Sequence, residues 1–397
     1  MNALRFAFIS LVRQPARSSL GILGVAAVGA LLFDMLLLSE GLVTSMRDLF
    51  DRAGFDLRVT ATDALPGQGP ALPGAVDTAV AISQLPSVRA AVALRFVDAV
   101  IDLGPGRREG ASLHGAGGGT SYPWTVLRGR DLQGPGEVLV NERTADRLDI
   151  ELGTVIGLRA SCLVDIEESL PPVTATVVGI AEFPFETPFG TTVASRIDTL
   201  DTACGGNDAG SADVVMVASR EGSTSDEAAA AISELRPELR VLTNEELVGR
   251  FEQGGFSYFR QISTVLTTVT VAFAVLLITV LLTVSVNQRL GEIAALRALG
   301  FTRGRVIADV LWESTLVVGA GALLSLPLGG LLAIGLDAIL KRIPGIPTDV
   351  HFFVYRDEAL VIHGLLLAAT AVIAALYPMR IVARLPIAGT LRDEVAG

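Results

Sequence analysis

Four apolar runs, at residues 18–44, 262–286, 306–336 and 359–379, constrain this chain more than any other feature. Each is long enough to cross a bilayer core, which takes roughly 20 helical residues. In lipid every backbone polar group must be satisfied within its own segment, so each run reads as a helix. The runs are unevenly placed. Residues 45–258 separate the first from the second, whereas residues 287–305 and 337–358 separate the others. The expected architecture is therefore four spanning helices with a large mixed α/β domain between the first and the second.

Charge follows the same division. Residues 45–258 carry 17 Lys+Arg against 31 Asp+Glu, and the remainder carries 14 against 11. With a mean hydropathy of +0.54, this excludes a nucleic-acid binder and fits an acidic domain on one side of a membrane. Arg5, Arg13 and Arg17 precede the first run. Arg289, Arg297, Arg303 and Arg305 lie between the second and third, and Arg380, Arg384 and Arg392 follow the fourth. The positive-inside rule then places residues 1–17, 287–305 and the 380–397 tail in the cytoplasm, with residues 45–258 and the 337–358 loop outside. The first run is too long for a signal peptide and no A-x-A-like site follows it, so an uncleaved span is expected.

Within the acidic domain, alternation and turn residues predict a strand near 55–61, a helix over 76–85 and a strand over 88–100. Residues 103–122 are rich in glycine and read as a surface loop. Their Gly115-Ala-Gly-Gly-Gly119 is no phosphate loop, since no Lys-Ser/Thr follows. Residues 126–180 read as a compact β-rich unit, part of a lobe spanning about 125–205, and residues 214–242 as a β-α-β unit. Cys162 and Cys204 both lie in this domain, which leaves a disulfide and two free thiols both open. His114, His351 and His363 show no ligand spacing, so no metal site is expected. No nucleophile or acid/base constellation is visible, and no catalytic residue is assigned.

Two further features concern function. Asp34 lies inside the first run, where a lone acid costs on the order of 2.5–3.5 kcal/mol on insertion scales. It is a candidate intramembrane polar site, facing either a wet cleft or a hydrogen bond from a neighbouring helix. The second feature is the short connection Asn287–Arg305. Ile293, Leu296 and Leu299 recur at three-residue spacing and read as one apolar stripe, with Glu292 and Arg297 beside it and Gly300 at the C-cap position.

The residues Arg289-x-x-Glu292-Ile293-x-x-Leu296-Arg297-Ala298-Leu299-Gly300, entering a run that carries Glu313, closely resemble the permease signature of the FtsX/MacB/LolCDE group of ABC transporters. So does the closing Pro378-x-Arg380-x-x-x-Arg384-x-Pro386 segment. In the acidic domain, Gly136 to Leu148, Leu152 to Ile156 and Val177 to Ile180 are similar to that group's periplasmic domain. The resemblance implies a permease subunit in a bacterial inner membrane, without a nucleotide-binding domain of its own. ATP and magnesium would be bound by a dimer of a separate ATPase subunit, and this chain would hold no cofactor. A second permease, identical or distinct, would complete the assembly, with membrane lipids and a periplasmic adaptor or lipoprotein carrier as further partners. Glu292, Ile293, Leu296, Arg297, Leu299 and Gly300 would couple to the ATPase. The cargo implied is a lipoprotein, lipid, peptide or amphiphilic compound. The alternative is an FtsX-like signalling protein that activates a cell-wall hydrolase.

Overall fold

The computed structural model describes residues 9–384, apart from 10, 14, 105, 161, 163–170, 188, 207, 254–256, 289, 301, 344–349 and 356. It divides into two compact units. One comprises Met1–Leu42, Gly255–Leu340 and His351–Gly397, and the other Val43–Gly254 with Lys341–Val350.

The first unit is built of helices. α1 (Pro15–Arg52) begins in it. Four more helices carry α numbers from their place in the chain: α7 (Ser257–Asn287), α8 (Leu290–Ala298), α9 (Arg303–Leu340) and α10 (Asp357–Arg384). α1, α7, α9 and α10 are each long and apolar enough to cross a membrane. Both α1 and α9 run for 38 residues. Pro327 lies inside α9 and Pro378 inside α10, where each removes a backbone donor.

Small residues bring these helices together. A β-carbon on Gly321 would stand 2.6 Å from Val25 Cβ, and one on Gly29 would stand 2.8 Å from Ser325 Cβ. One on Gly329 would meet the Ala30 carbonyl and the Phe33 ring, both at 3.0 Å. Gly321, Ser325 and Gly329 are four apart, so they form one stripe of α9 that lies directly on α1. Ala371, Ala374 and Ala375 of α10 pack with Val25, Ile278, Leu282 and Val318, drawn from the other three spanning helices. At the far end of α1, Gly41 accepts the close approach of residue 352, whose carbonyl oxygen would lie 2.2 Å from any β-carbon there.

Among the described residues, the second unit carries ten strands and five short helices besides the end of α1. In chain order they are β1 (Leu57–Thr60), α2 (Ala75–Ser83), β2 (Val88–Asp102), β3 (Arg108–Gly117), β4 (Thr125–Gly129) and β5 (Glu137–Val140). These are followed by α3 (Glu142–Leu148), β6 (Val155–Ala160), β7 (Val173–Glu182), β8 (Thr192–Arg196) and α4 (Ile197–Ala203). Last come β9 (Val214–Ser219), α5 (Ser225–Leu235), β10 (Arg240–Thr243) and α6 (Asn244–Gln253). The pairing order is β10-β1-β9-β2-β3-β8-β5-β7-β4, and β6 pairs with both β2 and β7. Strands β2, β3, β8, β5, β7 and β6 therefore close on themselves, because β6 joins the far half of β2 to β7. This ring encloses Ile101, Leu113, Val138, Ile156, Val177 and Val193. Closure removes the sheet edges that an open β layer would expose. The near half of β2 joins β9, β1 and β10 in an open antiparallel sheet, against which α2 and α5 bury Ala75, Ala79, Ile82, Ala228 and Ile232.

Residues 108–117 form a strand, which corrects the expectation of a surface loop. The glycines that suggested a loop make room for a helix. A β-carbon on Gly115 would lie 2.6 Å from Leu200, and one on Gly117 would lie 2.6 Å from Ile197, both residues of α4. Residues 214–242 form the expected β-α-β unit, but β1 sits between its two strands.

Polar groups buried in this unit are mostly satisfied. Asn141 is fully buried at the junction of β5 and α3. Its Oδ1 accepts from the Thr144 and Thr192 N–H groups, and its Nδ2 donates to the Gly190 carbonyl at 3.0 Å. One side chain thus caps α3 and ties it to β8. Cys162 and Cys204 are joined in a disulfide that links the end of β6 to the end of α4 beside the ring's core.

Candidate functional site

The connection between α7 and α9 holds the residues singled out by the sequence. α8 occupies it and ends at Gly300, whose φ of +95° is the left-handed conformation that glycine adopts without strain. The expected single stripe does not form. Ile293 is buried against Val286, Leu290 and Ile307, and Ala294 is fully buried beside it, whereas Leu299 is 77% exposed. The reason is geometric. Three-residue steps on a helix of 3.6 residues per turn fall short by about 60° each, so Leu299 lies about 120° around the axis from Ile293. Ile293 seats α8 on the spanning helices, and Ala295, Ala298 and Leu299 are left exposed. Ser285 of α7 donates to Glu313 Oε1 of α9 at 3.3 Å, a second tie between the helices that flank α8. Glu292, Leu296 and Arg297 are helical in backbone, and their side chains lie outside the described ones, as do those of Arg303 and Asp309. Arg289 and residues 385–397 lie outside the described residues altogether.

Asp34 is fully buried in α1, and neither carboxylate oxygen has a hydrogen-bond partner among the described residues. Among the described residues, no hydrogen bond from a neighbouring helix reaches it. Ser325 of α9 and His363 of α10 make a polar contact in this bundle. Ser325 Oγ donates to the Ala322 carbonyl at 2.7 Å and lies 2.9 Å from His363 Nε2. The direction of the Ser325–His363 hydrogen bond follows the imidazole tautomer. His363 Nδ1 is buried with no partner among the described residues. The signal in the sequence was the four-residue spacing of Gly321, Ser325 and Gly329, which marks a close helix contact and leaves a serine inside it.

In the second unit, Arg143, Asp146, Arg147, Phe189, Gly190 and Thr191 line an open cavity of about 350 Å³. Its guanidiniums are already engaged. Arg143 donates to the Thr187 carbonyl, and Arg147 pairs with Glu109 and donates to Thr191 Oγ1 at 3.1 Å. Across the sheet, His114 stands edge-on to Phe96 and Phe183, and desolvation there pushes its imidazole down to about 4. Arg130, its side chain paired with Glu137, holds that carboxyl at about 2, well below the usual range.

The chain matches the family model of the MacB-like periplasmic core domain over residues 18–235 and that of the FtsX-like permease C-terminal over residues 264–387. No curated protein matches it. Among solved structures it is similar to the periplasmic region of MacB from Actinobacillus actinomycetemcomitans, at 12% identity and a TM-score of 0.38 over 50% of this chain and 94% of that one. It is also similar to the extracellular domain of the noncanonic ABC-type transporter YknZ from Gram-positive bacteria, at 14% identity and a TM-score of 0.34 over 48% of this chain and 99% of that one. Family membership rests on the two family models, the first of which alone spans more than half of the chain. With four helices able to span a membrane and a mixed α/β domain between the first and the second, the chain belongs to the MacB/FtsX-type family of ABC-transporter permeases.

Proposed function

We propose that this chain is the permease subunit of a MacB/LolCDE-type assembly and that α8 is its contact with a separate ATPase dimer. The observation that carries the reading is the split character of α8: one side is seated on the spanning helices through Ile293, and the other leaves Leu299 77% exposed. An apolar side chain so exposed on a short anchored helix suits a groove on a protein partner. Glu292, Leu296 and Arg297 complete the contact, and Gly300 lets the chain turn into α9. ATP and magnesium are bound by the ATPase and not by this chain.

Closure of the ATPase pair pushes α8, and the push reaches α7 and α9 through Ile293 and the Ser285–Glu313 bond. The stripe Gly321-Ser325-Gly329 then carries it to α1, because helices in direct backbone contact have no slack to absorb a displacement. α1 and α7 lead to the ectodomain, which works on a lipoprotein, lipid, peptide or amphiphilic compound. In this reading both termini are in the cytoplasm of a bacterial cell, the membrane is the inner one, and a second permease stands opposite.

The test is co-purification with the ATPase from cells expressing both. Leu299→Asp places a charge on an exposed position, so the permease folds as before while the complex is lost. Retention of the full amount of ATPase overturns the docking assignment. A complex that forms normally but moves no lipid or lipoprotein favours the FtsX-like signalling role.

A further inference from the structure

The chain passes from α1 into the ectodomain through residues 50–58 and leaves it through residues 243–253, and both stretches converge on one buried guanidinium. Arg58 of β1 is 3% exposed. Its Nη1 donates to the Phe55 carbonyl at 2.9 Å and to Asn244 Oδ1. Asn244, the first residue of α6, donates in turn through Nδ2 to Asp51 Oδ1 at 2.9 Å, and its backbone N–H donates to the Asp56 carbonyl at 3.0 Å. The guanidinium carbon stands 4.9 Å from the centre of the Phe50 ring. Phe50 and Asp51 belong to the last turn of α1, so one side chain gathers the end of α1, the start of β1 and the start of α6.

An arginine is a costly filler for this position. Burial drives Arg58 down to about 10, opposed by the charges of Asp56 and Asp51, and its Nη2 has no acceptor among the described residues. A methionine would occupy the space beneath Phe50 without that desolvation. What only the guanidinium supplies is a rigid planar donor that reaches a carbonyl on one segment and an amide on another while lying against an aromatic face. β1 and β10 are also direct neighbours, with Leu57 opposite Thr243. A displacement delivered at Arg58 therefore enters two adjacent strands at once.

We propose that Arg58 is a positioning residue that fastens the end of α1 to the start of α6, so that both connections to the membrane helices move as one body with the sheet. This rests on the proposed function for the source of the motion only; the fastening stands without it.

The test uses the full chain in lipid nanodiscs, without ATPase, and spin labels on Arg47→Cys and Glu245→Cys. Both positions are exposed, and the native cysteines are bonded to each other. A control pair, Asp77→Cys and Asp226→Cys, reports on α2 and α5, which share one core. The parent chain gives one narrow distance for each pair. Arg58→Met and Asn244→Leu each lose the narrow 47–245 distance and keep the control distance, and the double variant broadens no further than either alone, because each breaks the same chain of bonds. A 47–245 distance that stays narrow in either variant with the control intact overturns the proposal, and so does additive broadening. If Arg58→Met also loses the control distance, Asn244→Leu decides by the same criterion. With no ATPase present, this result is independent of whether Leu299→Asp releases the ATPase.

Discussion

At Gly321 in the membrane unit and at Gly115 in the ectodomain, a missing β-carbon lets a neighbour come close, but the neighbours differ in kind. Gly321 meets Val25 Cβ and the Ile22 carbonyl of another helix, atoms fixed to a backbone. Gly115 meets side-chain atoms only, Leu200 Cδ1 at 2.6 Å and Cβ at 3.1 Å. Among the described residues of the membrane unit, close backbone approach joins the helices, beside polar contacts such as Ser263 Oγ to the Met35 carbonyl and Ser325 to His363. The ectodomain is held by interdigitated side chains, capped helices, satisfied polar hubs and a covalent tie. This follows from the solvent. Lipid offers no hydrophobic drive between helices, so contact area and shape must do the work, while water rewards every apolar side chain that the ring encloses.

The comparison breaks if the two units respond alike to the same insult. The largest separation is expected from the disulfide. Replacing Cys162 and Cys204 by alanine frees a loop with a sequence separation of 42, which costs the ectodomain about 4 kcal/mol by chain entropy. A thermal melt followed by labels in each unit should show the ectodomain transition falling and the helical one unmoved; joint movement would make them one cooperative body.

Next is pH. His114 is held at about 4 by burial, below its ordinary 6.5, so it stays neutral in the folded state while an unfolded chain takes up the proton. Ectodomain stability should be complete above pH 6.5 and decline by on the order of 3 kcal/mol as pH falls to 4. His114→Phe should flatten that slope, and an unchanged slope would assign it to other groups.

Gly321→Ala should lower the helical transition by about 2 kcal/mol through overpacking against α1 while sparing the ectodomain. Thr224→Ala, which removes the capping box of α5 with Glu227, should cost the ectodomain about 1 kcal/mol and the membrane unit nothing.

How legible each part was in the sequence follows the same divide. The spanning helices announce themselves, because a long, predominantly apolar run has a single outcome in a bilayer. β2 and the β-α-β segment were readable from alternation. β3 was not, since glycine ordinarily signals a turn and only the position of α4 explains its use in a strand. β8 and α4 carried no signal that a local pattern could supply, because β8 is paired by β3 and β5 from distant parts of the chain. The C-terminal punctuation of α8 is legible at Gly300, but its inner and outer sides are not, because three-residue steps drift around a helix of 3.6 residues per turn. Arg58 was invisible: its partners lie 3 and 186 residues away.

Because β1 and β10 lie side by side, the ectodomain begins and ends at one place, and everything from residue 61 to residue 239 is an excursion that returns to its starting point. A loop lengthened within that excursion leaves the β1–β10 pairing, and with it the spacing of the two chain connections, as it is.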